Sequence, residues 1–126
     1  MSCPCDVLSP NALGAILDED SIAALDTAII AGGANNQLAR SAHGEPLFKR
    51  NILYAPDYVI NAGGIISVAW EYLARREGRV GSVQEVRERI EQIPSRLEEI
   101  WQESARTGAS PDVVADRMAQ KLIGRG

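Results

Sequence analysis

Three short apolar runs, residues 6–8, 28–31 and 52–55, each give way to proline, glycine or asparagine, and helix-forming stretches lie between them. That alternation is the pattern of parallel βαβ units, because a strand that returns through a helix re-enters the sheet in the same direction. Helices are predicted at residues 12–17, 21–25 and 36–39, with Gly32-Gly33 and Pro56 marking strand ends. Ligands of open α/β sheets gather beyond the carboxyl ends of the strands. Asn11, Asn36 and Asn61 all follow such ends and are predicted to line a common edge.

The run Tyr54-Ala55-Pro56-Asp57-Tyr58-Val59-Ile60-Asn61-Ala62-Gly63-Gly64-Ile65-Ile66-Ser67-Val68 reads as a strand, a tight turn and a helix start. Val59 and Ile60 are β-branched and follow a proline that favours extended backbone, Asn61 is a helix cap, and Gly63 and Gly64 remove side-chain bulk. Amides at such a helix start favour accepting ligand groups, and Ile65 and Val68, three apart, present an apolar surface beside them. The combination suits a molecule with one polar and one apolar end. Taken singly, Asn35 and Asn36 also read as turn residues, Asn61 as a cap without a ligand, and Ile65 and Val68 as ordinary core.

The second half is helical. A helix over residues 62–76 ends at Glu77-Gly78, and Ser82 caps the next, whose apolar residues Val83, Val86, Ile90, Ile93, Leu97 and Ile100 form a stripe for core or subunit packing. Pro94 removes the hydrogen bond to the Ile90 carbonyl and predicts a kink there. Ser110-Pro111-Asp112 starts a last helix with Val113, Val114, Met118, Leu122 and Ile123 on its apolar face.

Composition removes several functions. The formal charge of −4 without a basic cluster argues against nucleic acid, and no apolar run approaches the roughly 20 residues of a membrane span. The opening Met1-Ser2-Cys3-Pro4-Cys5 carries no charged leader, so a cytoplasmic location is expected. Cys3 and Cys5, one residue apart, neither pair easily nor close a metal site; Cys5 is expected to be a small buried residue opening a strand. His43, between Ser41 and Pro46, reads as a surface loop residue rather than a ligand or base. No metal site is expected.

Four stretches together resemble the carboxyl-terminal part of the NAD-dependent Glu/Leu/Phe/Val amino-acid dehydrogenase family, closest to its leucine and valine branch. They are Cys5-Asp6-Val7-Leu8-Ser9-Pro10-Asn11-Ala12-Leu13-Gly14-Ala15, Ile30-Ala31-Gly32-Gly33-Ala34-Asn35-Asn36-Gln37-Leu38, the Tyr54–Val68 run and Val114-Ala115-Asp116-Arg117-Met118-Ala119. The fold so implied is α/β: a partial Rossmann-like three-layer unit of about three short parallel strands, followed by three carboxyl-terminal helices, as a single domain over residues 1–126. It corresponds to the second half of the family's NAD-binding domain and the helices that follow.

The resemblance implies that NAD takes a hydride from the α-carbon of an L-amino acid. Asn11 and Ala12 resemble the segment at the nicotinamide ribose, although Asn11 stands where relatives often have cysteine. Ala34, Asn35, Asn36 and Asn61 resemble the nicotinamide side, with Asn36 also near the substrate's polar end; Gly64, Ile65 and Val68 resemble the substrate side-chain pocket. An aliphatic residue at Val68, where glutamate-using relatives carry a hydroxyl, implies an apolar substrate such as leucine or valine.

No Gly-x-Gly-x-x-Gly turn occurs, so the usual pyrophosphate cradle is absent, and neither Lys49 nor Lys121 sits in the glycine-rich setting of the family's catalytic lysine. No residue here is therefore read as catalytic. The expectation is a segment inactive alone, completed by a partner chain that carries the amino-terminal domain; the alternative is a non-catalytic ligand-binding or oligomerisation module. An exposed strand edge and apolar flank predict a homodimer. A complete small enzyme of another kind lacks a paired acid and base, a nucleophile motif or a metal cluster.

Overall fold

The structure is a computed structural model that describes residues 3–124; Met1 and Ser2 of the opening stretch lie outside the described residues. Strands β1 (Cys5–Leu8), β2 (Thr27–Ile30) and β3 (Leu53–Tyr54) form one parallel sheet in the order β1-β2-β3, close to the three predicted runs. Register sets Leu8 beside Ile30 and Ile30 beside Tyr54, so a row of large side chains crosses the sheet at its carboxyl end. Alternate residues face opposite sides. Ile30 and Tyr54 are buried with Leu17, Ile22, Leu25, Leu47 and Ile52, and Leu8 packs against this cluster. On the neighbouring row Val7 and Leu53 are exposed. Cys5 opens β1 but is exposed, because it shares the face of Val7 and not that of Leu8.

Helix α1 (Glu19–Ala24) starts two residues before the predicted 21–25, because Asp18 caps it. The Asp18 carboxylate accepts from the Ser21 amide at 2.8 Å, and the Ser21 hydroxyl accepts from the Asp18 amide at 2.9 Å. The Ser21 amide, followed by the Ser21 hydroxyl, holds the Asp18 carboxyl below its ordinary range. The helices predicted at 12–17 and 36–39 do not form. Ala15 and Asn36 have φ of 56° and 52°, outside the helical region, and Leu17 and Leu38 pair instead as an isolated parallel bridge.

Where Gly44 and Pro46 predict a loop, a 3-10 turn over Ser41–His43 leads into α2 (Gly44–Lys49). Pro46 falls in the first turn of α2, where a missing N–H costs nothing. His43 is half-buried rather than a free surface residue, and its Nδ1–H donates to the Leu17 carbonyl at 3.1 Å. Arg50 closes α2, and its guanidinium donates to the carbonyls of Ile22 and Leu25 at the end of α1.

Val59 and Ile60, expected in extended backbone, belong to the short helix α3 (Asp57–Ile60). Proline restricts the residue before it, Ala55, and leaves those after it free to turn. Asn61 consequently ends α3 instead of capping α4 (Gly63–Arg76), whose first turn has no side-chain cap. Glu77 and Gly78, at φ 72°, terminate α4, and Ser82 and Glu85 form a reciprocal capping box on α5 (Val83–Ile90).

At Pro94 the expected kink is a complete break, so α6 (Ile93–Thr107) is separate from α5 and four helices, not three, follow Gly63. Glu91 and Gln92 turn the chain, and Pro94 sits in the opening turn of α6, where it is tolerated. The stripe divides at the same point. Leu97 and Ile100 are buried, whereas Val83 and Ile90 are exposed. Helix α7 (Pro111–Leu122) packs Val114 and Ala115 against Ile100, joined by Val59, Ala109 and Met118. Of its expected apolar face, Val114 is buried and Met118 half-buried, whereas Val113, Leu122 and Ile123 are exposed.

Candidate functional site

The loops leaving β1 and β2 touch through backbone. Gly32 lies so close to Pro10 that an added Cβ would overlap the Pro10 carbonyl oxygen and nitrogen. This approach lets the Ala34 amide donate to the Pro10 carbonyl at 2.9 Å. Asn11 Oδ1 accepts from the Gly33 amide at 2.8 Å, while Asn11 Nδ2 donates to the Ser9 carbonyl at 2.9 Å and hydroxyl at 3.0 Å.

From the other side comes Asn61, at the end of α3. Its Nδ2 donates to the Gly33 carbonyl at 2.9 Å, the Ala34 carbonyl at 3.1 Å and Asn35 Oδ1 at 3.3 Å. Two carboxamides thus clamp Gly33, one taking its N–H and the other giving to its C=O. The expected common edge forms for Asn11 and Asn61. Asn36 points elsewhere: it lines a cavity of about 560 Å³ with Leu38, Ser41, Tyr58, Asp112 and Asp116.

Ala34 is buried, and both its backbone groups are used within the loop, so the methyl group packs rather than faces outward. Ala12 and Asn35 are exposed. Immediately after Asn61, α4 presents Ile65 and Val68, which are 67% and 64% exposed, and a Cβ added at Gly64 would meet nothing within 4 Å. The carboxamide edge and the apolar helix face therefore adjoin along the chain. Ile65 and Val68 are not core residues.

Two further residues build this edge without having been singled out from the sequence. Gln37 is completely buried, and its Nε2 donates to the carbonyls of Gly32 at 2.7 Å and Ala34 at 2.9 Å. Asp57, buried at the start of α3, accepts from the Gln37 amide and the Tyr54 hydroxyl, both at 3.4 Å. Burial and the Asp57 charge raise the Tyr54 hydroxyl far above its ordinary pKa, keeping it a neutral donor. Trp101 Nε1 on α6 donates to the Tyr54 carbonyl at 2.9 Å and ties this support to the helical layer. Polar residues in a turn carry no local signal that distinguishes buried struts from solvated ones. Their burial is decided by partners 20 residues away for Gln37 and 47 for Trp101.

Tyr58 donates to the Asp112 carbonyl at 3.2 Å; burial, followed by the charges of Asp116, Asp112 and Asp57, pushes its pKa up to about 12. Cys3 and Cys5 are free and exposed, and among the described residues no group of His, Cys, Asp or Glu is arranged to hold a metal ion.

A parallel sheet whose carboxyl ends carry glycine and asparagine loops, backed by helices, is a partial Rossmann-like α/β unit. Residues 1–123 match the family model described as Glutamate/Leucine/Phenylalanine/Valine dehydrogenase, and the chain belongs to that family. It is 40% identical over 119 residues to leucine dehydrogenase of Thermoactinomyces intermedius, covering 94% of this chain and 31% of that one. Against valine dehydrogenase of Streptomyces virginiae the identity is 38% over 118 residues, again 94% of this chain and 31% of the relative. The crystal structure of L-tryptophan dehydrogenase from Nostoc punctiforme superposes with a TM-score of 0.87 at 37% identity, over 98% of this chain and 35% of that chain. The chain spans about a third of the length of these relatives.

Proposed function

We propose that this chain forms the nicotinamide-facing and substrate-facing part of an NAD-dependent dehydrogenase for an aliphatic L-amino acid such as leucine or valine, and that it is inactive without the amino-terminal part of such an enzyme. The observation that carries the reading is the clamped Gly33 loop at the strand ends, adjoining the exposed Ile65 and Val68 on α4. A polar edge beside an apolar face suits a nicotinamide ring set against an aliphatic side chain.

The residues fit that cofactor on its nicotinamide side. Gly33 presents no side chain, Asn11 and Asn61 hold the loop rigid, and Asn35 and Ala12 stand exposed at the same edge. Asn36, with φ of 52°, lines the neighbouring cavity with Tyr58 and Asp112, so its carboxamide is not assigned to this edge. When bound, NAD supplies the hydride acceptor. This chain's own residues orient and bind: the loop held by Asn11 and Asn61, with the exposed Asn35, meets polar groups, and Ile65 and Val68 offer an apolar surface to an aliphatic side chain, with room for it at Gly64. Proton transfer is assigned to the amino-terminal part of such an enzyme, since Lys49 lies on α2 and Lys121 on α7, away from the Gly33 loop.

Joining the chain to the amino-terminal two-thirds of the Thermoactinomyces enzyme tests this directly. Leucine-dependent formation of reduced nicotinamide is expected from the joined protein and none from the chain alone. A joined protein that folds yet never turns over leucine or valine would overturn the reading.

A second reading, association of two copies, is favoured by the free edge of β1 and by the exposed Ile65, Val68 and Tyr72. A homodimer is the expected species for the isolated chain, and sedimentation at micromolar concentration checks it, a sharp monomer boundary counting against it. A cytoplasmic location accords with this reading; among the described residues no helix is long and apolar enough to cross a membrane.

A further inference from the structure

The carbonyls of the β2 loop are held inward and two of its amides are not. Gln37 Nε2 takes the Gly32 and Ala34 carbonyls, and Asn61 Nδ2 takes the Ala34 carbonyl a second time together with that of Gly33. The amides of Gly33 and Ala34 are bound to Asn11 and Pro10. The next two, those of Asn35 and Asn36, meet no acceptor among the described residues, and both residues are exposed. A peptide unit whose carbonyl is fixed on one side presents its N–H on the other, because the unit is planar and trans. Fixing the Ala34 carbonyl therefore aims the Asn35 N–H, and the left-handed Asn36 continues the turn.

We propose that Gln37 is the positioning residue of the ligand-facing edge: by drawing the Ala34 carbonyl into the protein it turns the Asn35 amide outward, and with the Gly32 carbonyl it fixes the turn on which the Asn36 amide follows as the second of a donor pair. The pair receives a carbonyl or carboxylate oxygen. This rests on the dehydrogenase reading, in which that oxygen belongs either to the cofactor's carboxamide or to the amino acid's carboxylate.

Gln37 suits the task because it is wholly enclosed and its carboxamide has two N–H donors for two carbonyls. Its amide is anchored in turn by Asp57, which also receives Tyr54. The loop's shape is thereby referred to the end of β3 rather than to solvent. Its Oε1 has no partner, so the side chain is held through its donors alone.

Amide spectroscopy of the isolated chain tests the positioning without any activity. In the unaltered chain the Gln37 side-chain N–H groups should exchange slowly and show hydrogen-bond couplings to the Gly32 and Ala34 carbonyls; fast exchange with no coupling overturns the proposal. In Gln37→Met, which keeps length but loses both donors, the Asn35 and Asn36 amide signals should move. Exchange at Ala34 should quicken by about tenfold, the equivalent of one hydrogen bond, while signals of α6 and α7 stay in place. Unchanged loop signals would overturn the proposal. Should Gln37→Met not fold, the couplings in the unaltered chain still decide. In the joined enzyme the same substitution should raise KM for one ligand by about tenfold with melting still cooperative. A rise for NAD identifies the carboxamide, a rise for leucine the carboxylate, and no rise for either overturns the donor role. A joined enzyme inactive even with Gln37 present refutes the dehydrogenase reading and leaves the spectroscopic result standing.

Discussion

Gly32→Ala is expected to leave the chain largely unfolded in buffer. The added Cβ would overlap the carbonyl oxygen, the nitrogen and the ring of Pro10, all parts of the backbone or locked to it. No rotamer relieves such a clash, and proline's fixed φ prevents a local adjustment. The ends of β1 and β2 would have to separate, which breaks the Ala34 to Pro10 bond at 2.9 Å and the Gly33 to Asn11 bond at 2.8 Å. The Leu8 carbonyl, accepting from Ala31 at 3.0 Å, lies directly upstream. A loss on the order of 4–5 kcal/mol follows, comparable to the whole stability of a small domain.

Two neighbouring substitutions calibrate this result. At Gly33 an added Cβ meets only Asn11 Oδ1, at 2.9 Å, and a side chain can move aside, so the cost is about 1–2 kcal/mol from one disturbed hydrogen bond. At Gly64 it meets nothing, and alanine in α4 gains up to about 1 kcal/mol of helix propensity. Urea unfolding of the three variants should therefore rank Gly64→Ala, Gly33→Ala and Gly32→Ala in falling stability. A Gly32→Ala protein that melts with the unaltered chain would show that the two loops do not meet as described.

The strands were legible because β-branched runs and their breakers carry a local signal, and β1, β2 and β3 fall within a residue or two of the predicted runs. Asn11 and Asn61 were legible as edge residues for the same reason: they follow strand ends. The way they act was not. Both clamp Gly33 through contacts 22 and 28 residues away, and no pattern along the chain encodes such pairings. Gln37 and Asp57 were missed because a buried polar residue looks like a solvated one until its partners are placed. The error at residues 12–17 has a different origin. Six apolar-rich residues fit a helix and a bridged loop equally, and the bridge of Leu17 to Leu38 settled the choice. The apolar spacing from Val83 to Ile100 showed amphipathic helices correctly, but period alone does not say which part another element covers. Leu97 and Ile100 are buried, Val86 and Ile93 half-buried, and Val83 and Ile90 exposed.

Ile65→Asp and Val68→Asp separate a side chain held for stability from one held for a ligand. In the isolated chain both positions are about two-thirds exposed, so a carboxylate there stays hydrated and stability should change by less than about 0.5 kcal/mol. Ile65 lies in the first turn of α4, where a negative charge faces the helix's positive end and is mildly favourable. Neither substitution has a reason to unfold the protein. In the joined enzyme the same face is proposed to enclose an aliphatic side chain, and a carboxylate shut in there without a partner costs about 3–5 kcal/mol. Leucine turnover should accordingly fall by about 10²–10⁴-fold in kcat/KM for each variant, with melting temperatures unmoved. Val68→Ser, which adds a hydroxyl and no charge, should lose much less. Equal leucine kinetics in the aspartate variants would remove α4 from the substrate pocket and leave its apolar face to association alone, where the same two variants would then shift the sedimenting species towards monomer.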